Sequence, residues 1–283
     1  MGKAQGFLKI YYFCKNGLDM ITDLNLSKMR SEYGFPVRYF LSANDAEIFM
    51  NDLIGSRIKI EYLHTINCVS CGKITNRSYM NGHCYECYTT LPECDEGVFN
   101  PEKDLSHLGI SRDMEWSKKY SLIDHYVYLA YTGDLKVGVT RYNQIPTRWI
   151  DQGAVAAIRF AKTPNRNLAG QIEVEMKKHI ADKTNWRRML MFSQPNVDLV
   201  ERKKALLPLL PDDLRIYESF DDSVVEIMYP YQVVANLKSV SLDTYDKISG
   251  VLAGIKGQYL LFDNGVALNV RSHSGYKVKL TVD

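Results

Sequence analysis

Apolar and polar residues alternate strictly along RIKIEYL, where Ile58, Ile60 and Tyr62 interleave with Arg57, Lys59 and Glu61 at the period of a half-buried strand. Runs of apolar and β-branched residues bounded by turn formers predict further strands in FLKIYYF and GFPVRYFLS toward the N-terminus. From about residue 224 to 283 they predict VVEIMY, YQVVANL, GQYLLF, VALNV and YKVKLTV. The turns Asp263-Asn264-Gly265 and Ser274-Gly275 give this last group the spacing of a small β-sandwich or barrel, which the N-terminal strands could also pack against. In HYVYLAYTGDLKVGVTR, residues 125–141, two strand-like runs flank Thr132-Gly133-Asp134, which is hairpin grammar. Core packing alone requires neither three tyrosines on its first arm nor Lys136-Val137-Gly138-Val139-Thr140-Arg141 on its second.

Helical periodicity follows the hairpin. One helix is predicted from Pro146, placed at a first helical position, to about Gln152, a second from about Leu168 to Ala181, and a third from about Val197 to Leu207. Residues 67–124 are dense in Cys, Gly, Asn and Glu and show little period, so something other than a large core has to hold them. The expected class is α+β, in four segments: β-rich 1–66, a cysteine module 67–124, a mixed unit 125–215 and a small β-rich domain 216–283.

Composition narrows the class. With 283 residues, 46% of them hydrophobic and 24% charged, the chain can bury a real core. No stretch approaches the ~20 apolar residues of a membrane span, and MGKAQGFLKIYYFCKNG lacks the apolar core and cleavage site of a signal peptide; the expected location is the cytoplasm. The net charge of +2 is unevenly spread. Residues 125–193 carry 11 Lys+Arg against 5 Asp+Glu, whereas residues 68–124 carry 6 against 9. A basic central segment suits a polyanionic partner, although moderate clusters of this kind are also ordinary solvated faces.

Cys68-Val69-Ser70-Cys71 and Cys84-Tyr85-Glu86-Cys87 form C-x2-C-x12-C-x2-C. The i and i+3 sulfurs of each pair can face one ion, and four thiolates complete a tetrahedron around Zn²⁺. Two disulfides or four separate thiols are the alternatives, and a reducing cytoplasm disfavours the first. A closed four-sulfur site has no open position, so its role is structural. Cys14, in an apolar run, reads as a packed thiol. Cys94 cannot join a filled tetrahedron, and a second metal site shared with His107 and His125 is weighed only as a lesser option.

The hairpin and the helices after it resemble the GIY-YIG nuclease superfamily, in particular its phage-type branch. Tyr126-Val127-Tyr128 stands for the first tripeptide and Lys136-Val137-Gly138 for the second; Arg148 follows in the first helix, Glu173 in the second, and Asn185 lies near the position of a less constant asparagine. The resemblance implies a GIY-YIG-like central domain acting on nucleic acid. Tyr128 would stand near the attacking water as base or orienter, Arg148 would clamp the phosphate, and Glu173 would hold a catalytic Mg²⁺. Tyr126, Lys136, Arg141, Arg187 and Arg188 would add phosphate contacts. Over nearly the whole chain the sequence is also similar to a bacterial family catalogued only as domain of unknown function 2797. That similarity rests on the CxxC pairs, Lys136–Arg141, Arg148–Ala154, Asp182–Arg187 and Gly254–Tyr259. The chain departs from it at Gly97, Asp104, Ser111 and Ser121, where many relatives look to have further cysteines.

Ordinary structural roles stay open for the same residues. Glu173 precedes Lys177 by four positions, the spacing of a helix ion pair, Tyr128 could be a core aromatic, and Trp149 and Trp186 suit core anchors. Three functions therefore follow from the sequence: a Mg²⁺-dependent phosphodiesterase of endonuclease type, a nucleic-acid-binding protein without catalysis, or a zinc-stabilised protein-interaction module.

Overall fold

Ile58 and Ile60 are buried in the strand Arg57–Asn67, as the alternation requires, and this strand organises a large sheet. The computed structural model describes residues 20–44, 46–180, 185–191 and 194–283; the expected strand FLKIYYF and Cys14 lie outside them. Contacts divide the described chain into two units. One comprises the described residues up to Glu32 together with Arg38–Tyr85 and Pro230–Asp283; the other comprises Tyr33–Val37 and Glu86–Tyr229.

In the first unit, Arg57–Asn67 pairs antiparallel with both Tyr276–Val282 and Lys247–Lys256, so that Ile60 stands opposite Leu280 on one side and Ile248 on the other. The sheet continues through Tyr259–Phe262 and Val266–Asn269 to Lys238–Val240, and Met20–Asn25 forms its opposite edge. The C-terminal strands thus share a sheet with N-terminal ones instead of closing on themselves as a separate sandwich or barrel. YQVVANL is not a strand: it makes one isolated bridge, Tyr231 to Gly254, and Val233 is exposed. The strand Lys247–Lys256 escaped the hydrophobic pattern because Gly250 and Gly254 interrupt it, and Gly254 is small because the Tyr231 backbone lies where a Cβ would project. A separate three-stranded sheet holds Arg30–Glu32, Arg38–Ala43 and Ala46–Phe49.

The second unit is built on the hairpin. His125–Tyr131 lies between Leu135–Arg141 and Ala156–Thr163, and Val225–Glu226 extends the far edge. Val127, Leu129, Val137, Val139, Ile158 and Phe160 pack against Ala169, Ile172 and Met176 of the helix Arg166–Met176 and against Leu199 and Leu206 of the helix Leu199–Leu206. Both helices begin at side-chain caps: Asn165 Oδ1 accepts from Leu168 N, and Asp198 Oδ1 accepts from Val200 N and Glu201 N. The first helix therefore starts two residues before Leu168. Between hairpin and third strand, Pro146 caps the helix Thr147–Asp151. Among the described residues no helix is long and apolar enough to cross a membrane.

The helix Arg166–Met176 crosses the short turn Pro101–Lys103 at Gly170, where a Cβ would enter the Pro101–Glu102 backbone. Alanine normally gains about 1 kcal/mol over glycine inside a helix. Here the sign should reverse: Gly170→Ala is expected to lower the urea midpoint of unfolding, and an unchanged or raised midpoint would show that the crossing is loose.

Candidate functional site

Two clusters collect the chemistry-bearing residues. The first is the cysteine set. The sulfurs of Cys68, Cys71, Cys84 and Cys87 all lie within 4.8 Å of one another, and Cys71 Sγ is 3.8 Å from Cys84 Sγ. Four sulfurs at about 2.3 Å from a zinc ion stand about 3.8 Å apart, so the spacing fits that ion. Local backbone explains the placement. Gly72, at φ +72°, closes a turn in which its N–H donates to Cys68 O, and Val69 N donates to Gly82 O, tying the first knuckle to the Asn81-Gly82 turn. Burial pushes the Cys68 thiol up, but backbone N–H groups of Cys71, Cys84 and Ser70 and the Cys71 thiol outweigh it and bring it down to about 6. Such amides stabilise the thiolate that a metal takes. Cys94 is buried, outside any disulfide, and not in this group; neither it nor His107 nor His125 joins a metal-ligating cluster among the described residues.

The second cluster sits on the hairpin. Tyr128 pairs with Gly138 across the strands, and its ring lies over that glycine: a Cβ at position 138 would stand 2.5 Å from the Tyr128 hydroxyl. The ring also meets Trp149 edge-on at 6.0 Å, and the residue is 0% exposed. With the Gln152 amide turned so that both its ends are satisfied, its nitrogen donates to the Tyr128 hydroxyl at 2.8 Å and its oxygen accepts from Arg148 Nε and Nη2, each at 3.2 Å. Arg148 and Gln152 stand one helical turn apart, which is why both reach the tyrosine. Burial holds the Tyr128 hydroxyl above the usual phenol range; Arg148 opposes this through charge and a hydrogen bond, and the charge of Glu173 reinforces it.

Glu173 lies on the helix Arg166–Met176 and is only 9% exposed. Burial raises its carboxyl above the usual carboxylate range; Lys177 and Lys136 oppose the rise, and the nearby charge of Glu102 adds to it. The helix pair allowed by spacing is present, with Lys177 Nζ 3.4 Å from Glu173 Oε2. The hairpin register sets Lys136 opposite Ala130 and Tyr126 opposite Thr140, on the face that carries Tyr128. The charges of Arg148 and Glu173 both act on Tyr128, and that of Lys136 acts on Glu173.

Other expected residues lie in different surroundings. Arg159 covers the Tyr126 ring at 5.2 Å and pairs with Asp221. Arg188 pairs with Asp134 in the hairpin turn at 2.7 Å, and Arg187 lies over Trp186 at 4.5 Å. Asn185 is the cap of the helix Trp186–Met191, its Oδ1 accepting from the N–H groups of Arg187 and Arg188. Arg141 lies over the Tyr120 ring at 4.8 Å.

The sequence reading missed Gln152, Glu102 and Arg166. Gln152 could have been found from its i+4 spacing to Arg148, whereas the other two are brought in by the fold. Arg166 donates to Gly97 O at 2.8 Å and Val98 O at 2.5 Å. Burial brings its guanidinium down to about 10; Asp104 opposes this, and the like charges of Arg148 and Arg141 add to it. In the other unit, Lys238, Ser241, Asp243, Tyr245 and His273 line a cavity of about 410 Å³. His273 Nε2 accepts from Leu242 N at 3.1 Å and also lies 3.2 Å from Ser241 Oγ, while Nδ1 meets Asn269 O at 2.8 Å.

A family model described as protein of unknown function DUF2797 matches residues 55–278. The chain belongs to the DUF2797 family. No curated protein and no solved structure matches it. The matched span of this DUF2797 protein includes all four cysteines, the hairpin and the Arg148–Gln152 and Glu173 positions.

Two measurements check these descriptions. The DUF2797 chain is expected to bind one zinc per molecule, read by elemental analysis of metal-intact protein, and Cys68→Ser should lose it; structural zinc in small fingers is worth about 10–16 kcal/mol, so protease sensitivity should rise around residues 67–124. Zero or two equivalents would contradict the assignment. His125 is fully buried, and desolvation lowers its imidazole from the ordinary 6.5 to about 4. The unfolded chain then binds more protons than the native one between those values, so stability is lost as pH falls through that window, by up to about 1.4 kcal/mol per pH unit. His125→Gln should flatten that part of the urea-midpoint profile; a profile identical to the parent's would refute the burial.

Proposed function

We propose that this protein acts on the phosphodiester backbone of nucleic acid at the cluster of Tyr128, Arg148 and Glu173, as a divalent-cation-dependent nuclease with a GIY-YIG-like central domain and a structural zinc module. The observation that supports the reading is that Arg148 and the buried Tyr128 hydroxyl meet on one Gln152 amide, with the charge of Glu173 acting on the same hydroxyl. These are the three residue types that the resemblance assigns to phosphate binding, metal binding and water orientation.

Each side chain has a chemical part. Arg148 is anchored by Gln152 on one side of its guanidinium, leaving donors for phosphate oxygens, and an arginine fork matches such oxygens in two bonds. Because its pKa is raised, Tyr128 keeps its proton at neutral pH, so its part is to hold the Gln152–Arg148 pair in place and donate a hydrogen bond, not to abstract a proton. Glu173 and Glu102 are two carboxylates whose mutual repulsion a hard cation would relieve. Glu173 would hold Mg²⁺, with Glu102 beside it, and the ion when bound would neutralise charge developing on the phosphate. Lys136, where the second tripeptide has lysine, adds a cation whose charge reaches Glu173.

A second reading, nucleic-acid binding without cleavage, gains from the complete burial of Tyr128, since no substrate atom can touch a ring that is 0% exposed without a local opening. Labelled single- and double-stranded DNA and RNA incubated with Mg²⁺, Mn²⁺ or EDTA distinguish the two. Cleavage is expected with Mg²⁺ and absent with EDTA. Glu173→Gln, nearly isosteric, should keep fold and binding while cleavage falls by at least about 100-fold. Arg148→Ala should weaken binding as well and reduce the slope of log affinity against log salt by about 0.7–0.9. Undiminished cleavage by Glu173→Gln would sink the nuclease assignment; binding without cleavage in every metal would favour the second reading.

A further inference from the structure

Beside the proposed site lies a ladder of one guanidinium and two rings. Trp116 and Tyr120 stand four residues apart on the helix Met114–Tyr120, with ring centroids 4.8 Å apart, and the Arg141 guanidinium lies over the Tyr120 ring at 4.8 Å. Tyr120 is exposed and Trp116 only half-buried, so neither belongs to a hydrophobic core. Arg141 closes the second hairpin strand opposite His125. Arg166 starts the long helix, and its own N–H donates to Ser121 O at 2.9 Å, next in the chain to Tyr120. The segment around Tyr120 thus holds Arg141 through a ring and Arg166 through its main chain.

These cations have few counterions. Among the described residues neither Arg141 nor Arg148 makes an ion pair, and Arg166 spends two of its donors on the Gly97 and Val98 carbonyls. Asp104 is the carboxylate whose charge acts most on Arg166, and it is itself engaged by Ser106 N at 2.9 Å. Around Arg166 the three arginines stand against Asp104 and Glu173, an excess of positive charge in partly desolvated surroundings, which favours an anion.

We infer that this surface binds single-stranded nucleic acid, consecutive phosphates lying along Arg148, Arg166 and Arg141 while a base stacks on the Tyr120–Trp116 pair. The inference rests on the nucleic-acid reading above and adds the strandedness of the substrate. Duplex DNA or RNA offers phosphates but keeps its base faces stacked, so it can use the arginines and not the ladder; an unpaired strand can use both. Two adjacent aromatic rings with a guanidinium at their edge match the alternation of base and phosphate along one strand.

The test is binding in EDTA, so that cleavage plays no part. Tryptophan fluorescence is followed as full-length, zinc-loaded protein is titrated with a 12-nucleotide single strand, as DNA and as RNA of the same sequence, and with the matching duplexes. Single strands are expected to bind at least about fivefold more tightly than duplexes at equal salt and to quench fluorescence. Trp116→Phe should remove most of the quench with affinity within about twofold, and Trp116→Leu should lose about fivefold or more, the worth of one stacked base. Arg141→Gln should lower the salt slope by about 0.7, one phosphate contact to a single strand. The two single-strand arms report whether DNA or RNA is preferred. Duplex binding as tight as single-strand binding, or a Trp116→Leu variant indistinguishable from the parent, overturns the inference, as does absence of binding to any of the four. Tight single-strand binding without cleavage when Mg²⁺ is restored would remove the nuclease assignment and leave this one standing.

Discussion

The Tyr128 ring occupies the space that a side chain at position 138 would need. That one constraint organises the second unit's site. Because Gly138 stands opposite Tyr128 in the hairpin register, the ring can lie flat across the neighbouring strand and bring its hydroxyl to Gln152. Gln152 in turn orients Arg148, and the Trp149 edge fixes the ring from the third direction. Any β-carbon at 138 would lift the tyrosine and loosen everything connected to it. A glycine inside a strand costs backbone entropy and a side chain's packing, and a close approach of this kind is the usual reason it is retained.

Helix placement depends on the same economy of size. Gly170 lets the helix Arg166–Met176 lie against Pro101–Glu102, which brings Glu102 beside Glu173 and lets Asn167 Nδ2 donate to Glu102 O at 2.8 Å. The apolar face of that helix, Ala169, Ile172 and Met176, is buried on the sheet, so Glu173 is held near the hairpin by packing on one side and by a backbone crossing on the other. Rigid support of this kind is what positions a carboxylate or a guanidinium to better than a side-chain rotation. The cysteine cluster orders its own loop-rich segment by a different means, ligand geometry in place of core volume.

Local signals carried much of this. Cysteine spacing alone identified all four sulfurs that come together, and strand alternation located Arg57–Asn67 and both arms of the hairpin. Tyr128 and Arg148 were singled out through a resemblance, while Gln152, which links them, was missed. What escaped was set by long-range contact. Lys247–Lys256 reads poorly as a strand because its glycines answer to Tyr231 and to the Asp263–Asn264 turn. Arg166 and Glu102 look like ordinary surface charges until the helix crossing half-buries them, and Arg187 and Arg188, promising in a basic stretch, are taken up by Trp186 and Asp134. The family relation to DUF2797 carries no activity with it, so the nuclease function is a proposal that joins a sequence resemblance to the arrangement of the site's residues.

The most direct test is a crystal structure with a non-cleavable phosphorothioate strand and Mn²⁺, recorded for anomalous scattering. The account requires a phosphate oxygen within hydrogen-bond distance of Arg148, a manganese peak on Glu173, and the Glu173–Lys177 pair opened to admit it. A strand bound elsewhere, with Glu173 still paired to Lys177 and no anomalous peak beside it, would contradict the account.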